Sequence, residues 1–406
     1  MPPSPPDERS PDPMPTVTAP PVDTPDWSLA RTDEPTNARI LAVSEDRLAG
    51  FHEDPFGEIA RLSGVPVDIV LRTLRFLLEA GTVRRIRQTL LATNLASGAL
   101  VAWEVSPADL EAGFSYLSEC DPFSGHVVIR STDAETPGSR YRLWTTLKVP
   151  QGFSLPKHAG FLQQKIGAKS FRLMPAKAFF VLGVGHVRRR GIEPGSKDEV
   201  PAEMQTAEIV RLSPLEWRVL SALKREFAID EIVRDVWAGR IAEAGVDRET
   251  FFATARSLAG RGVIGRFSTF LEHVKPTLAD ERVTRYNALF HWRVPVGREE
   301  EAGREVGRFH CMTHAYWREG GPEFANVNIM GVAHGQEKPL VLAHKAAIDE
   351  HLKAVGIPVL YTNVFWGGRS EITPSEIVPA AYESFCCENG IDPETMRETE
   401  SETTTR

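Results

Sequence analysis

The segment Thr313-His314-Ala315-Tyr316-Trp317-Arg318 repeats a pattern that occurs earlier in the chain as Gly125-His126-Val127-Val128-Ile129-Arg130. In both segments an arginine follows a histidine by four residues, and the two histidines lie 188 positions apart, at 126 and 314. Two other pairs of segments align at nearly the same separation, residues 75–86 with 256–267 and residues 99–105 with 288–294. Three matches in one order indicate a module that occurs twice.

The length and composition of the chain fit two such modules in a globular protein. The chain has 406 residues, and two copies of roughly 170 residues each match common domain sizes. No apolar run approaches the roughly 20 residues of a membrane span, and the Pro-rich start lacks the features of a signal peptide, so we expect a cytoplasmic protein. The four cysteines show no CxxC spacing, which favours reduced thiols over disulfides or a zinc site.

Composition and turn signals predict seven segments. Both ends hold few residues that a core could bury, and a polar Gly- and Pro-containing stretch separates the halves. The predicted segments are a disordered Pro-rich tail (1–27), a first winged helix (28–93), a first ferredoxin-like domain (94–189), a linker (190–211), a second winged helix (212–275), a second ferredoxin-like domain (276–380) and a disordered tail (392–406).

Each half begins with a helix-turn-helix pattern. In the first half, residues 56–64 and 68–80 have apolar residues at helical spacing, and residues 83–91 predict a short strand pair or wing. Winged helices serve as DNA readers and also as dimerisation platforms. Because Asp68 and Glu79 lie in the first candidate recognition helix and the formal net charge is −8, the sequence disfavours specific DNA binding.

The segment after each winged helix predicts the order βαββαβ, which is ferredoxin-like. The first copy is expected to have strands at 100–105, 126–131, 141–149 and 170–173 and helices at 107–119 and 155–166. The second copy is expected to have strands at 288–295, 311–318, 326–333 and 359–365 and helices at 299–308 and 340–355. The predicted fold class is therefore α+β, a tandem repeat of a winged helix-turn-helix plus a ferredoxin-like domain.

Candidate functional residues follow from the alternation of side chains along the strands. On the strand at 311–318, one face is expected to carry His310, Met312, His314, Tyr316 and Arg318. The first copy keeps His126 and Arg130 but has Val128 in place of the tyrosine. The next strands add Asn326, Asn328, Met330 and His334 in the second copy and Arg142 and Trp144 in the first. Since arginine holds carboxylates and an imidazole or phenol moves protons, this face suits an acidic ligand.

Less specific interpretations compete with this one. His310, Cys311 and His314 could indicate a metal site, but Cys311 points away from both histidines on a strand and no further ligand completes a set, so we predict no metal. A single histidine on a sheet is usually only hydrogen-bonded, whereas its recurrence with arginine favours a functional role for His314 and Arg318. The basic run at 188–190 lies beside the linker, which favours a solvent-exposed stretch over a ligand-binding role. Arg84, Arg85 and Arg266 follow a winged helix and fit a structural role equally well.

Together these motifs resemble the siroheme decarboxylases, relatives of the Lrp/AsnC regulators that act in the alternative haem and haem d1 pathways. The resemblance covers residues 36–375, and this chain would be the fused form of two partner subunits. The second half matches more closely, through His314, Tyr316 and Arg318 and through Asn328 with His334-Gly335. In the first half the matching residues are His126, Arg130 and Leu143-Trp144.

The first half departs from the family pattern at two positions of its candidate site. Val128 stands where a tyrosine is usual and Arg142 where an asparagine is usual, so the first half is the weaker candidate for catalysis. Departures in the second half are Val327, Val332 and Gly265. A carrier that binds a tetrapyrrole without reacting therefore stays open as an alternative, as does an Lrp/AsnC-like transcriptional regulator.

The resemblance implies loss of CO2 from the two acetate side chains of siroheme at ring positions 12 and 18, giving didecarboxysiroheme. It implies no cofactor beyond the iron-tetrapyrrole substrate and either a homodimer or an internal pseudo-dimer. The implied catalytic residues are His314, Tyr316 and His126, with Arg318 holding a carboxylate and His314 or Tyr316 donating a proton. The implied substrate-binding residues are Arg318, Arg130, Asn328, His334, His310, Trp144 and Arg142, with His334 also a candidate axial contact to the iron.

Overall fold

The computed structural model describes residues 25–182, 191–272, 275–280 and 284–399. The elements of the first half are α1 (Pro35–Ser44), β1 (Leu48–Ala49), α2 (Pro55–Ser63), α3 (Val67–Glu79), β2 (Val83–Leu90), β3 (Ala96–Glu104), α4 (Leu110–Glu119), β4 (Ser124–Ser131), β5 (Leu143–Pro150), α5 (Leu155–Lys165) and β6 (Ser170–Leu182). Those of the second half are α6 (Pro214–Lys224), α7 (Ala238–Ala244), α8 (Arg248–Gly260), β7 (Ile264–Leu271), β8 (Tyr286–Arg293), α9 (Glu299–Gly307), β9 (Met312–Arg318), β10 (Ile329–Gly335), α10 (Lys338–Ala354), β11 (Tyr361–Ile372) and α11 (Pro379–Glu388).

The strands that run βαββαβ in each half close into one barrel. The strand order is β10-β8-β11-β4-β5-β3-β6-β9, and all described pairings are antiparallel. The fourth strand of each half pairs with the second strand of the other, β11 with β4 and β6 with β9. Because closure pairs the edge strands of both sheets, neither half keeps an open edge. The two halves thus form an internal pseudo-dimer.

Apolar side chains fill the barrel at one end and cover it outside. Trp144, Phe324 and Phe365 pack against each other inside the barrel, with ring centroids 5.2–6.0 Å apart. Outside, one core lies beneath the helices of the first half and another beneath those of the second. Burial of each large side chain contributes about 1.5–3 kcal/mol. The interior packing therefore closes one end and leaves the other as a mouth.

The helical segments of the two halves share a single core and one small sheet. Phe56 of the first half packs against Phe267 of the second with ring centroids 5.5 Å apart. Strand β7 lies between β1 and β2, and we call this three-stranded sheet, β1-β7-β2, the cover sheet. Gly81 and Gly262 have φ values of 73° and 67° and turn the chain from α3 into β2 and from α8 into β7. The repeat thus preserves a turn that glycine favours.

The prediction of two separate winged helices is wrong in one respect. Residues 83–91 were expected to form a strand pair or wing within the first half. They form one strand, β2, whose described partner is β7 of the second half. The cover sheet therefore needs both copies. The sequence pattern of one copy does not specify a partner strand in the other.

The predicted tails and linker carry more structure than expected. Of the tail 392–406, residues 393–396 form a 3-10 helix whose Met396 is buried in the first-half core. At the other end Trp27, placed in the tail 1–27, stacks on Phe76 with centroids 5.4 Å apart. Apolar Met396 and Trp27 anchor these short stretches. Residues 1–24, 183–190 and 400–406 lie outside the described residues, including the predicted basic run at 188–190.

The linker 190–211 packs on both halves along part of its described length. An isolated bridge joins Lys197 to Phe309, and another joins Gln205 to Phe179. Across the described ranges, the structure contains no helix with the length and apolarity needed to cross a membrane.

Candidate functional site

A cavity of about 370 Å³ lies between the mouth of the barrel and the cover sheet. Its barrel side is built by alternate residues of several strands, and its roof by β2 and β7. Three histidines line it, His126, His314 and His334, and Glu45 is the single acidic residue among the described residues of the lining. The lining also contains six arginines: Arg84, Arg85, Arg87, Arg130, Arg266 and Arg318. The cavity is therefore strongly cationic and suits an anionic ligand.

A bulge on β9 decides which residues of the repeat motif reach the cavity. On the neighbouring strand β10, Val332 pairs with His314 but the next residue, Ala333, pairs with Met312. The unpaired residue changes the alternation, so Met312 enters the outer core while His314 faces the cavity. The predicted common face from His310 to Arg318 is therefore wrong at its first two positions.

The second-half cluster stacks an imidazole, a phenol and a guanidinium. The rings of His314 and Tyr316 lie 6.0 Å apart at 16°, and the Arg318 guanidinium lies 4.4 Å from the centre of the Tyr316 ring. Arg318 also donates a hydrogen bond to the Met174 carbonyl. Burial raises the pKa of Tyr316, and Arg318 opposes this shift. The phenol therefore keeps its proton at neutral pH and can donate it.

Thr313 connects the two histidines of this cluster. Its hydroxyl donates to the Val332 carbonyl at 2.9 Å, and it lies 3.2 Å from Nδ1 of His314 and 3.3 Å from Nδ1 of His334. A hydroxyl has one proton, so the two Nδ1 atoms act as donors to its oxygen. In the neutral rings this arrangement places the proton on Nδ1 and makes Nε2 the basic atom.

The equivalent first-half cluster lacks the phenol. Nε2 of His126 lies 2.9 Å from the Ser370 hydroxyl, and Arg130 donates to the Asn287 side chain at 3.4 Å and to the Phe365 carbonyl at 3.3 Å. Burial lowers the pKa of Arg130 to about 10, so it stays charged at neutral pH. Val128, at the position of Tyr316, is buried in the barrel interior. This cluster has the histidine and the arginine but no tyrosine beside them.

The cover sheet adds arginines with unused hydrogen-bonding capacity. Burial, and next the charge of Arg85, lowers the pKa values of Arg84 and Arg87 to about 10. The Nε atoms of Arg84, Arg85, Arg87 and Arg130 are buried without a hydrogen-bond partner among the described residues. Arg85 alone of these forms an ion pair, with Glu226 at 2.8 Å. Buried donors without acceptors are costly, which indicates that a ligand supplies the acceptors.

Four predicted substrate-binding residues do not line the cavity. His310 precedes β9 and contacts Ser196 at 2.8 Å and Asp198 at 3.0 Å, both in the linker. Asn328 precedes β10 and is buried, accepting from the Val294 amide at 2.9 Å and donating to its carbonyl at 3.0 Å. These two residues hold segments in place outside the barrel mouth.

The other two are first-half residues on β5 or beside it. Arg142 is exposed, and its Nε donates to the Arg130 carbonyl at 3.1 Å. Trp144 faces the barrel interior but belongs to the apolar packing that closes the far end, where it donates to the Tyr141 carbonyl at 2.7 Å. The alternation of side chains along the strand placed Trp144 on the candidate ligand-binding face, but alternation does not indicate how deep in the barrel a residue lies.

The sequence did not point to several cavity residues. Arg87, Thr146 and Asn287 belong to none of the repeated motifs, and Arg84, Arg85 and Arg266 fit structural roles equally well by sequence. The signal available was three arginines in four residues at 84–87 on a predicted strand. Only the packing of the cover sheet over the barrel shows that they face a cavity. Across the described ranges, no group of three or more His, Cys, Asp or Glu residues is arranged to hold a metal ion.

Comparisons with known proteins agree with this architecture. The model of the AsnC-like ligand binding domain matches residues 284–365, the second-half strands and helices from β8 into β11. Siroheme decarboxylase from Hydrogenobacter thermophilus is 26% identical over 304 residues, which are 74% of this chain and 84% of that protein.

Two solved structures share the fold. The crystal structure of the siroheme decarboxylase NirDL superimposes with a TM-score of 0.61 at 19% identity, covering 86% of this chain and 97% of that one. The structure of NirDL in co-complex with an iron-uroporphyrin III analogue gives a TM-score of 0.60 at 19% identity, covering 87% and 99%. The resemblance inferred from the sequence motifs and the mixed α+β fold class are confirmed.

Proposed function

We propose that this chain, a relative of the siroheme decarboxylases, removes CO2 from the two acetate side chains of siroheme at ring positions 12 and 18 and gives didecarboxysiroheme. The observation that carries the proposal is the cavity at the barrel mouth, whose lining contains six arginines, three histidines and one acidic residue among the described residues. Siroheme is a polycarboxylate with an apolar macrocycle. A cationic cavity between a barrel and a covering sheet complements both properties.

The reaction breaks the bond between the acetate methylene and its carboxylate. CO2 leaves, the electron pair delocalises into the conjugated macrocycle of the substrate, and a proton converts the methylene into a methyl group. The protein must therefore orient the acetate, exclude water and deliver one proton. No redox partner enters this balance.

The second half has the groups that these tasks require. Arg318 holds the reacting carboxylate, and Tyr316, whose phenol stays protonated, donates the proton to the methylene carbon. His314 stacks beside Tyr316. After its Nε2 takes up a proton from solvent, the imidazolium can pass a proton back to the phenolate that the reaction leaves on Tyr316. A positioned proton donor accelerates such steps by about 10²–10⁴-fold.

The remaining cations bind the carboxylates that do not react. Arg130 and His126 take this role in the barrel, and Arg84, Arg87 and Arg266 take it in the cover sheet. The unpartnered buried Nε atoms of Arg84, Arg87 and Arg130 support this assignment. The first half then contributes mainly binding, because Val128 gives it no phenol.

The test is anaerobic incubation of the full chain with siroheme, followed by mass spectrometry of the extracted tetrapyrrole. Loss of two CO2 units is the expected result. Siroheme that binds tightly and leaves unchanged contradicts the decarboxylase and favours a carrier. Absence of binding, together with sequence-specific DNA binding, favours a regulator of the Lrp/AsnC type instead.

A DNA-binding role has little support in the helices. Arg75 of α3 donates to the Ile232 carbonyl of the second helical segment at 2.9 Å, so this cation serves an internal contact. The cover sheet between the helical segments faces the cavity. A homodimer stays a prediction from the family resemblance.

A further inference from the structure

Two matching rows of residues cross the barrel wall near its mouth. In the first row, Lys148 on β5 pairs with Gly98 on β3. Because Ala99 pairs with Pro175, the register places Gly98 beside Ala176 on β6. Ala176 in turn pairs with Arg318 on β9. We call Lys148, Gly98, Ala176 and Arg318 the lysine row. It joins a lysine of the first half to the arginine of the second-half cluster.

The second row has the same construction with the halves exchanged. His334 on β10 pairs with Asn287 on β8, Asn287 pairs with Gly367 on β11, and Gly367 pairs with Arg130 on β4. We call these four residues the histidine row. His334 and Lys148 occupy equivalent places, because each lies two residues beyond the partner of a repeat histidine, Val332 or Thr146.

In the lysine row the small residues leave room for the lysine side chain. A Cβ atom added to Gly98 would lie 3.4 Å from both Cγ and Nζ of Lys148, so the lysine extends along Gly98. This direction leads towards Arg318, whose charge, after burial, contributes to lowering the pKa of Lys148 to about 8. Lys148 is partly buried, and its charge interacts with that of Arg318.

Neither cation has an acidic partner. In the part of the chain that the structure describes, no Asp or Glu carboxylate forms an ion pair with Lys148 or Arg318. Two like charges held together inside a protein without a counter-charge oppose folding of the empty protein. An anion between them relieves this cost, as paired cations at carboxylate sites commonly do.

From this geometry we infer that Lys148 and Arg318 together bind one substrate carboxylate, so that a lysine of the first half completes the reaction centre of the second. The inference rests on the proposed function and extends it. The reaction centre is then composite, and the second half does not form it alone even though it supplies His314, Tyr316 and Arg318. The histidine row gives Arg130 the corresponding neighbours from the second half, Asn287 and His334.

The experiment compares the full-length Lys148→Met and Lys148→Arg variants with wild type, with Lys353→Met as the control because Lys353 is exposed on α10. Siroheme affinity is measured anaerobically by absorbance titration, and unfolding temperature without siroheme is measured in parallel. Lys148→Met is expected to weaken binding about 10- to 100-fold, as loss of a charge-assisted contact does. The same variant is expected to unfold at a higher temperature than wild type when empty. Lys148→Arg and Lys353→Met are expected to retain affinity.

The pH dependence of affinity gives a second readout. Lys148 must be charged to hold a carboxylate, so wild-type affinity should be present below pH 8 and decline as the pH rises through about 8. The Lys148→Arg variant should show no such decline, because a guanidinium stays charged in that range.

The outcomes separate this inference from the proposed function. If wild type binds and decarboxylates siroheme and Lys148→Met does so with equal affinity, the composite site is wrong and the function stands. If Lys148→Met loses both affinity and stability, Lys148 is structural and the inference is also wrong. If wild type neither binds nor converts siroheme, the proposed function fails first.

Discussion

The two clusters at the barrel mouth have the same backbone frame and differ in chemistry. In both, a strand presents a histidine and an arginine to the cavity, His314 with Arg318 and His126 with Arg130. Between them the second half has a partly buried phenol, Tyr316, and the first has the apolar Val128. The two copies therefore share the histidine and the arginine, while the phenol occurs in the second alone. Under the proposed function, binding and reaction are divided between the repeats of one module.

The largest effect is expected from removal of the phenol. Tyr316→Phe keeps the ring that stacks on His314 and Arg318 but removes the proton, so CO2 release should fall by about 10²–10⁴-fold with siroheme affinity nearly unchanged. The measurement is single-turnover decarboxylation followed by mass spectrometry. Tyr116→Phe, a partly buried tyrosine of α4, is the control. A Tyr316→Phe enzyme with the wild-type rate would show that the two clusters do not differ in the way proposed.

Removal of the arginines should separate the clusters by kind of defect. Arg318→Gln is expected to lower the decarboxylation rate and the affinity together, whereas Arg130→Gln is expected to weaken affinity about 10-fold or more and to change the rate at saturation much less. Both parameters come from rates measured over a range of siroheme concentrations. Arg142→Gln, exposed beside Arg130, is the control. Equal losses of rate in both variants would mean that both halves react.

Substitution of an arginine in the cover sheet should change siroheme affinity and the stability of the empty protein in opposite directions. Arg87 is partly buried and its pKa is lowered to about 10, so Arg87→Gln should weaken siroheme binding about 10-fold and leave the empty protein at least as stable. Titration and thermal unfolding measure the two effects, with the exposed Arg72→Gln as control. A variant that loses stability and keeps affinity would make Arg87 structural.

The smallest effect is expected from a histidine that lies deeper in the barrel. His291 is buried there, and burial, followed by the charge of Arg130, lowers its pKa to about 3. The unfolded chain takes up this proton near pH 6.5, so the stability that depends on neutral His291 is present above that pH and is lost as the pH falls from about 6.5 towards 3. Unfolding by denaturant between pH 7 and 4 should therefore show a weaker acid dependence for His291→Phe than for wild type. An unchanged acid dependence would exclude His291 as its source.

Much of the local structure follows from the sequence. Most strands and helices of both βαββαβ units lie within a few residues of their predicted positions, because apolar periodicity is strong in buried elements. The last strand of each unit is longer than predicted: β6 runs to Leu182 rather than ending at Leu173, and β11 runs to Ile372 rather than ending at Phe365. His314, Tyr316, Arg318, His126, Arg130 and His334 were predicted from repetition and alternation, and all six line the cavity. His310 was misplaced because a bulge, which depends on the pairing of β9 with β10, changes the alternation.

The repeat, the α+β class and the pairs of histidine and arginine were thus determined by the sequence itself, since they depend on local periodicity and on spacing along the chain. The closed barrel, the shared cover sheet and the row of paired residues that joins Lys148 to Arg318 were decided only by the tertiary structure. Each of these joins one half to the other across long stretches of chain. Residues within a strand carry the signal for which face they occupy, but no local pattern encodes which distant strand lies beside them.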